Sequence, residues 1–478
     1  MQYISTRGGG GPVSFEESLY SGYTGDGGML MPIKIPEVSM ETLKTWAKRS
    51  YPELLKEVMS LYIPEEELPR DDLSKLVDSA MVGFDNPEIA PMKQLKGGLN
   101  VLELFHGGTW AFKDLGLSCV GQLLEYFLSK RRKHLTVVVA TSGDTGSAAI
   151  RAVRGLKWVD IVVLLPKGRC SQIQELQMTT VIEDNVHVYR AEGTCDDLDI
   201  VKKKCFKDHD FRLEHNLCSI NSINWTRIMV QTAHFIYAYL QMYPQCDGEL
   251  DIAVPTGALG NMTAGCVSRL MGLPIRLICT VNENDVVAKA MLTGELAIKP
   301  EVVQTLAPAM DIQYPINIER IWYLFSGQKP LLVSRLMEEF ESKGCVKAPN
   351  DLTTKLKEVI IDAFVANDDL IKKTMRQCFE ENSYYICPHT ATAVAYHYRS
   401  KVGTDDDNRK LVCVGTASVS KFQEAVEAAG LPVKVCPEVD RLKSLPTKFE
   451  EMRKGDSWEE ILKQKIVDIN TNWKMKHC

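Results

Sequence analysis

The stretch His106-Gly107-Gly108-Thr109-Trp110-Ala111-Phe112-Lys113-Asp114 sets one lysine among glycines and aromatics just before a helical pattern. After Asp114, the apolar residues Val120, Leu123, Leu124, Phe127 and Leu128 follow the spacing of a helix with one buried face. Lys113 therefore stands at the start of a helix, on the core side of a loop. Burial penalises an ammonium and lowers its pKa, and a lysine that is neutral near physiological pH is both a nucleophile and a base. Taken alone, the stretch better suits a lysine that snorkels beside Asp114.

Other motifs narrow the choice. The run 135–140 leads into Thr141-Ser142-Gly143-Asp144-Thr145-Gly146-Ser147, a strand-turn-helix with hydroxyls and glycines at the turn. Free N–H groups and the positive end of a helix dipole make such a turn an anion site. It lacks both the G-K-[ST] ending of a P-loop and the G-x-G-x-x-G of a dinucleotide fold. A second turn, Pro255-Thr256-Gly257-Ala258-Leu259-Gly260-Asn261, follows the run 250–254 and opens a helix. Between the two, Asn221-Ser222-Ile223-Asn224-Trp225-Thr226-Arg227 combines neutral donors with one guanidinium, a set suited to a phosphate dianion or, alternatively, to a loop that satisfies its own backbone. Gly415-Thr416-Ala417-Ser418 offers hydroxyls at a late strand end, where open α/β sheets place ligands. His389, in Pro388-His389-Thr390-Ala391, is a catalytic candidate, although a single histidine before an alanine-rich helix more often serves the fold. One amine and two anion turns suit an aldehyde cofactor that condenses with Lys113, rests its phosphate in one turn and leaves the other for a substrate carboxylate.

The elements that must hold these residues are legible from periodicity. β-branched runs at 135–140, 160–165, 250–254, 275–280 and 411–414 alternate with helix-length segments, the pattern of βαβ units around a buried parallel sheet. Residues 37–95 alternate proline breaks with amphipathic stretches such as 40–49 and 73–84. Ser14-Phe15-Glu16-Glu17 and Ser171-Gln172-Ile173-Gln174 have capping-box spacing, Ser457-Trp458-Glu459-Glu460 opens a final surface helix, and 404–408 is a solvated acidic loop. The expected division is a mainly helical domain at 1–95, an α/β domain with the lysine and the first turn at 96–245, and an α/β domain with the second turn and a helical tail at 246–478. A chain of 478 residues exceeds what one core supports. The net charge of -6 gives no case for nucleic acid or an anionic membrane as partner. Fourteen cysteines, none before Cys119 and none in a C-x-x-C pair, read as reduced thiols rather than a disulfide framework or a metal site. No apolar run approaches a membrane span, and Glu16 and Glu17 come too early for a presequence, so a cytoplasmic location is expected.

Assembled, these motifs resemble the threonine synthase family of pyridoxal-phosphate enzymes of fold type II, along nearly the whole chain. Ser5-Thr6-Arg7-Gly8, Asp26-Gly27-Gly28, Asn282-Glu283-Asn284-Asp285 and Pro308-Ala309-Met310-Asp311 extend the match. The resemblance implies a tryptophan synthase β-like α/β fold with two parallel-sheet domains, pyridoxal 5'-phosphate as cofactor, a small phosphorylated amino acid as substrate, no metal, and a homodimer. By the same resemblance, Lys113 carries the cofactor and acts in catalysis. Gly257, Ala258, Leu259, Gly260 and Asn261 form the cofactor-phosphate turn, and Thr416 meets the pyridine nitrogen. Ser142, Gly143 and Thr145 form the substrate-carboxylate turn, with Asp144 on the cofactor side, and Ser222, Asn224 and Arg227 bind the substrate phosphate. Three positions depart from the family's usual residues: Ala258 stands in place of asparagine, Cys387 in place of aspartate, and Ser418 in place of histidine. They point to a catabolic phospho-lyase acting on O-phosphothreonine or O-phosphohomoserine, as an animal branch of the family implies. Threonine synthesis from O-phosphohomoserine is one alternative, and a non-catalytic binding protein on the same fold is another.

Overall fold

In the computed structural model, which describes residues 1–141, 143–400, 409–434 and 436–477, the β-branched runs build two separate sheets. Ser142 and the acidic loop expected at 404–408 lie outside the described residues. In chain order the strands are β1 (Tyr3–Ser5), β2 (Leu30–Pro32), β3 (Met92–Gln94), β4 (Asn100–Glu103), β5 (Leu135–Ala140), β6 (Val159–Pro166), β7 (Val186–Ala191), β8 (Leu217–Cys218), β9 (Leu250–Pro255), β10 (Ile275–Val281), β11 (Glu295–Ala297), β12 (Cys345–Lys347), β13 (Ile360–Val365), β14 (Lys410–Gly415) and β15 (Glu450–Met452). The larger sheet has the order β13-β10-β9-β14-β4-β3 and is parallel except for β3 at its edge. The smaller, β15-β7-β6-β5-β8, is parallel throughout. Helices cover both faces of a parallel sheet, so β5 and β9 are buried at every position and are apolar but for Thr136 and Asp251 at their second positions.

The sheets do not divide the chain at 245/246 as expected. β4, which leads into the Lys113 loop, pairs with β14 in the sheet built mostly from the C-terminal half. β15, in the charged tail, pairs with β7 in the other sheet, and the helix Trp458–His477 buries Leu462, Ile466 and Ile469 against it. That terminal helix lies on the surface, as expected, with this one face buried. β7 and β13 are absent from the expected series because His187, Arg190 and Asp362 interrupt their apolar pattern.

The N-terminal unit carries the helices Phe15–Leu19, Met40–Trp46, Tyr51–Tyr62 and Arg70–Met81, as expected, with an antiparallel β1/β2 pair in addition. It packs on the helix Trp225–Met242, where all but Gln241 of the 18 residues are buried. A helix enclosed on every side is normally apolar all round, yet this one carries Arg227, Gln231 and His234 at i, i+4 and i+7. That spacing places three polar groups on one stripe, and the stripe faces the site.

Candidate active site

The Lys113 loop crosses the end of β14. Leu104 N donates to Gly415 O (3.0 Å), Phe112 N to Thr416 O (2.8 Å) and Ser418 N to Trp110 O (2.9 Å). Lys113 becomes the first residue of the helix Lys113–Arg131, beside Thr416. Asp114 is not its counter-charge, because that carboxylate accepts from Thr109 N (2.9 Å) and Thr109 Oγ1 (2.6 Å) and so closes the loop. Lys113 Nζ instead meets Asp144 Oδ2 at 3.3 Å. Asp144 Oδ1 accepts from Lys421 Nζ at 2.8 Å and from Gln174 Nε2 at 2.8 Å. Burial lowers the Lys113 pKa, Asp144 opposes this, and the positive charges of Arg227 and Lys421 add to the lowering. Burial also resists charge on Asp144, but the ammoniums of Lys421 and Lys113 outweigh it and hold the carboxylate well below its usual range.

Lys421 is fully buried and also donates to Thr109 O at 2.8 Å. Lys421→Met removes a positive charge that lowers the Lys113 pKa and leaves Asp144 freer to stabilise the Lys113 ammonium. Both effects raise that pKa. In cofactor-free protein the pH midpoint for acetylation of Lys113, read by peptide mass spectrometry, is expected to move upward; an unchanged or lower midpoint contradicts this assignment.

The second turn is built for an anion. Leu259 adopts a left-handed conformation (φ 64°) that starts the helix Gly260–Leu270. A side chain at Gly257 would press its Cβ to 2.8 Å from Ala309 O, so only glycine fits. Asn261 Oδ1 accepts from His234 Nε2 at 2.8 Å, and burial pulls the His234 pKa down to about 4, so the ring is neutral. Asn261 Nδ2 is buried with no acceptor among the described residues. Arg227, 3% exposed, donates from Nη1 to Ile220 O (3.0 Å) and pairs with no carboxylate among the described residues. Burial pulls its pKa down to about 10. The cavity that these groups line also holds Lys113, Asp144, Ala258 and Thr416. An orphaned amide donor, a helix N-terminus and an uncompensated guanidinium fit phosphate groups, and the Lys113 amine fits an aldehyde.

Most residues singled out from the sequence converge here: Lys113, Asp144, Thr145, Ser222, Arg227, Gly257, Ala258, Leu259, Gly260, Asn261 and Thr416 line one cavity. Leu259 can contribute only backbone, because its side chain is buried. Two expectations need correction. The Gly143 N–H, expected to bind substrate carboxylate, is taken by Thr141 Oγ1 (2.9 Å), and the residue's φ of +132° serves the turn. Asn224, expected on the substrate phosphate, caps the helix Trp225–Met242. Its Oδ1 accepts from Thr226 N (3.1 Å) and its Nδ2 donates to Leu19 O (2.9 Å), so its amide is spent within the fold. His389 does line the cavity, with Nε2 accepting from Ala309 N at 3.1 Å. Gln174, Gln231 and Lys421 were not singled out. The capping box at Ser171 located Gln174 without indicating that its amide reaches Asp144. Among the described residues no group of His, Cys, Asp and Glu is arranged to hold a metal ion, and no helix is long and apolar enough to cross a membrane.

Comparison with known proteins adds independent findings. The profile "Pyridoxal-phosphate dependent enzyme" matches residues 90–416, "Threonine synthase N terminus" matches 2–81, and "Threonine synthase, C-terminal" matches 390–464. The chain is 47% identical to threonine synthase-like 2 of Rattus norvegicus, over 99% of this chain and 98% of the relative. It is 41% identical to threonine synthase of Schizosaccharomyces pombe, over 90% and 89%. The crystal structure of pyridoxal-phosphate-bound threonine synthase from Brucella melitensis superposes with a TM-score of 0.88 at 32% identity, covering 98% of each chain.

Proposed function

The chain belongs to the threonine synthase family of fold type II pyridoxal-phosphate enzymes, and from that premise we propose that it is a phospho-lyase, eliminating phosphate from O-phosphothreonine or O-phosphohomoserine to give 2-oxobutyrate, ammonia and phosphate. The observation that carries this reading is Arg227: a buried guanidinium without a carboxylate partner, in the same cavity as Lys113. Leaving such a charge unpaired is costly, and a dianionic substrate group repays it.

The cofactor, pyridoxal 5'-phosphate, supplies when bound an electron sink for negative charge at the substrate's Cα. The residues of the chain do the rest. Lys113 Nζ, whose pKa burial lowers, removes the Cα proton, and Asp144 holds the amine in place between steps. The Gly257–Asn261 turn and the helix it starts would hold the cofactor's phosphate. Thr416 offers a hydroxyl rather than a carboxylate to the ring nitrogen, which favours elimination over transamination. Arg227 and Ser222 hold the phosphate that leaves, and Thr145 receives the substrate carboxylate.

Elimination is preferred over threonine synthesis because synthesis requires water to be directed onto Cβ before the unsaturated product escapes. Ala258 brings only a methyl group to the cavity. The Ser418 hydroxyl accepts from Ser420 N at 3.3 Å and caps its own turn. With a methyl group at the first position and a hydroxyl engaged in its own turn at the second, neither is set to direct water, so product release wins and hydrolysis to the 2-oxo acid follows. The test is to incubate cofactor-loaded protein with each phosphoamino acid and identify products by mass spectrometry. Phosphate with 2-oxobutyrate is the expected outcome, phosphate with threonine would establish a synthase, and no phosphate from either substrate would leave a non-catalytic protein.

A further inference from the structure

We infer that Asn317 is a positioning residue that makes Ser222 a hydrogen-bond donor toward the anionic group of the substrate. Arg320 is fully buried, and its guanidinium can only donate. It donates from Nη1 to Asn317 Oδ1 and to Ser222 O, at 2.7 Å each, and from Nη2 to Leu30 O at 3.2 Å. The oxygen of the Asn317 amide is thereby identified, and its Nδ2 must be the donor on the other side. Nδ2 donates to Ala258 O at 2.9 Å, an atom that only accepts, which agrees with that orientation. It donates also to Ser222 Oγ at 2.8 Å.

With its oxygen accepting from Asn317, Ser222 keeps its own hydrogen free. No protein acceptor takes that hydrogen among the described residues, and Ser222 is partly exposed where it lines the cavity shared with Arg227 and Lys113. The hydroxyl therefore faces the cavity as a donor, the polarity a phosphate requires. Asn317 also bonds Ala258 O through its own backbone N–H at 3.1 Å. One residue thus ties the loop that carries Ser222 to the turn after β9.

The inference rests on the phosphorylated substrate proposed above, but its test does not. Inorganic phosphate binding to cofactor-loaded protein, in which the cofactor's own phosphate site is filled, is measured by calorimetry for Ser222→Ala, Asn317→Asp and the double variant. Ser222→Ala is expected to weaken binding about 10- to 100-fold, the loss of one charge-assisted hydrogen bond. Asn317→Asp replaces the donating amide with a carboxylate, turns the Ser222 hydrogen away from the cavity, and is expected to weaken binding at least as much. The double variant should fall within about twofold of Asn317→Asp, because the Ser222 donor is lost only once. Fully multiplicative losses would show that Asn317 does not act through Ser222 and would overturn the proposal. So would a Ser222→Ala protein that binds phosphate like the wild type, a result obtainable even if the Asn317 variant does not fold. If neither phosphoamino acid releases phosphate, the lyase reading fails, while these affinities still decide the role of Asn317.

Discussion

Lys113→Ala is expected to abolish covalent capture of the cofactor and to lower turnover of a phosphoamino acid by at least ~10⁴-fold. Two functions are lost together. The variant has no amine to bond the aldehyde, and no base on the helix entrance to take the Cα proton. The fold is expected to survive, because Asp144 keeps Lys421 and Gln174 as partners when Lys113 is gone. Two measurements check this. Borohydride treatment should fix cofactor to the wild type at Lys113 and to no residue of the variant, as read by peptide mass. Steady-state rates should fall to the detection limit while the melting curve stays cooperative. A variant that retains activity within about a hundredfold would remove Lys113 from the chemistry, since a general base alone contributes ~10²–10⁴-fold.

The second large effect is predicted for Arg227→Met. Truncating one partner of a buried, hydrogen-bonded charge pair costs about 2–5 kcal/mol of binding, so KM for a phosphoamino acid is expected to rise from about 30-fold to several thousandfold. Stability should respond in the opposite sense. Burial pulls the guanidinium pKa from 12.5 to about 10, which corresponds to a penalty of about 3 kcal/mol on the folded state. Below the folded value the side chain is protonated whether the chain is folded or not, so this penalty is constant from acid to mildly alkaline pH. It fades only as pH rises from about 10 toward 12.5. Losing the bond to Ile220 O offsets part of the gain. The melting temperature is therefore expected to hold or rise across neutral pH while substrate binding collapses; a fall in both would mark Arg227 as a structural residue.

How much of this was readable in advance depends on how local each signal is. Lys113 and the two turns were legible because glycine spacing, strand ends and helix starts are written within a few residues of one another. β5, β6 and β9 were legible because strands buried on both faces are mostly apolar, their polar residues Thr136, Asp160 and Asp251 falling at the second position, whereas Arg190 and Asp362 fall inside β7 and β13. Asn224 was misassigned because an asparagine that precedes a helix meets a local demand first, the cap, and its chemistry is then used up. Gly143 failed for a related reason: a threonine two residues earlier reaches its N–H before any ligand does. Lys421 and Asn317 left no local trace. Lys421 reaches Thr109 across 312 positions of chain, and Asn317 reaches Ser222 across 95, distances at which one sequence carries no pairing information.

The pairing of β4 with β14 also bears on the order in which the protein can come into being on the ribosome. Asn100 donates from its side chain to Leu411 O, 311 positions later. At about 5–20 residues per second, the strand that leads to Lys113 waits tens of seconds for its neighbour. During that interval the Lys113 amine has emerged, but the strand end that fixes its loop and the hydroxyl of Thr416 do not yet exist. A nascent chain that stops before β14 would therefore carry Lys113 without the strand that holds its loop in place.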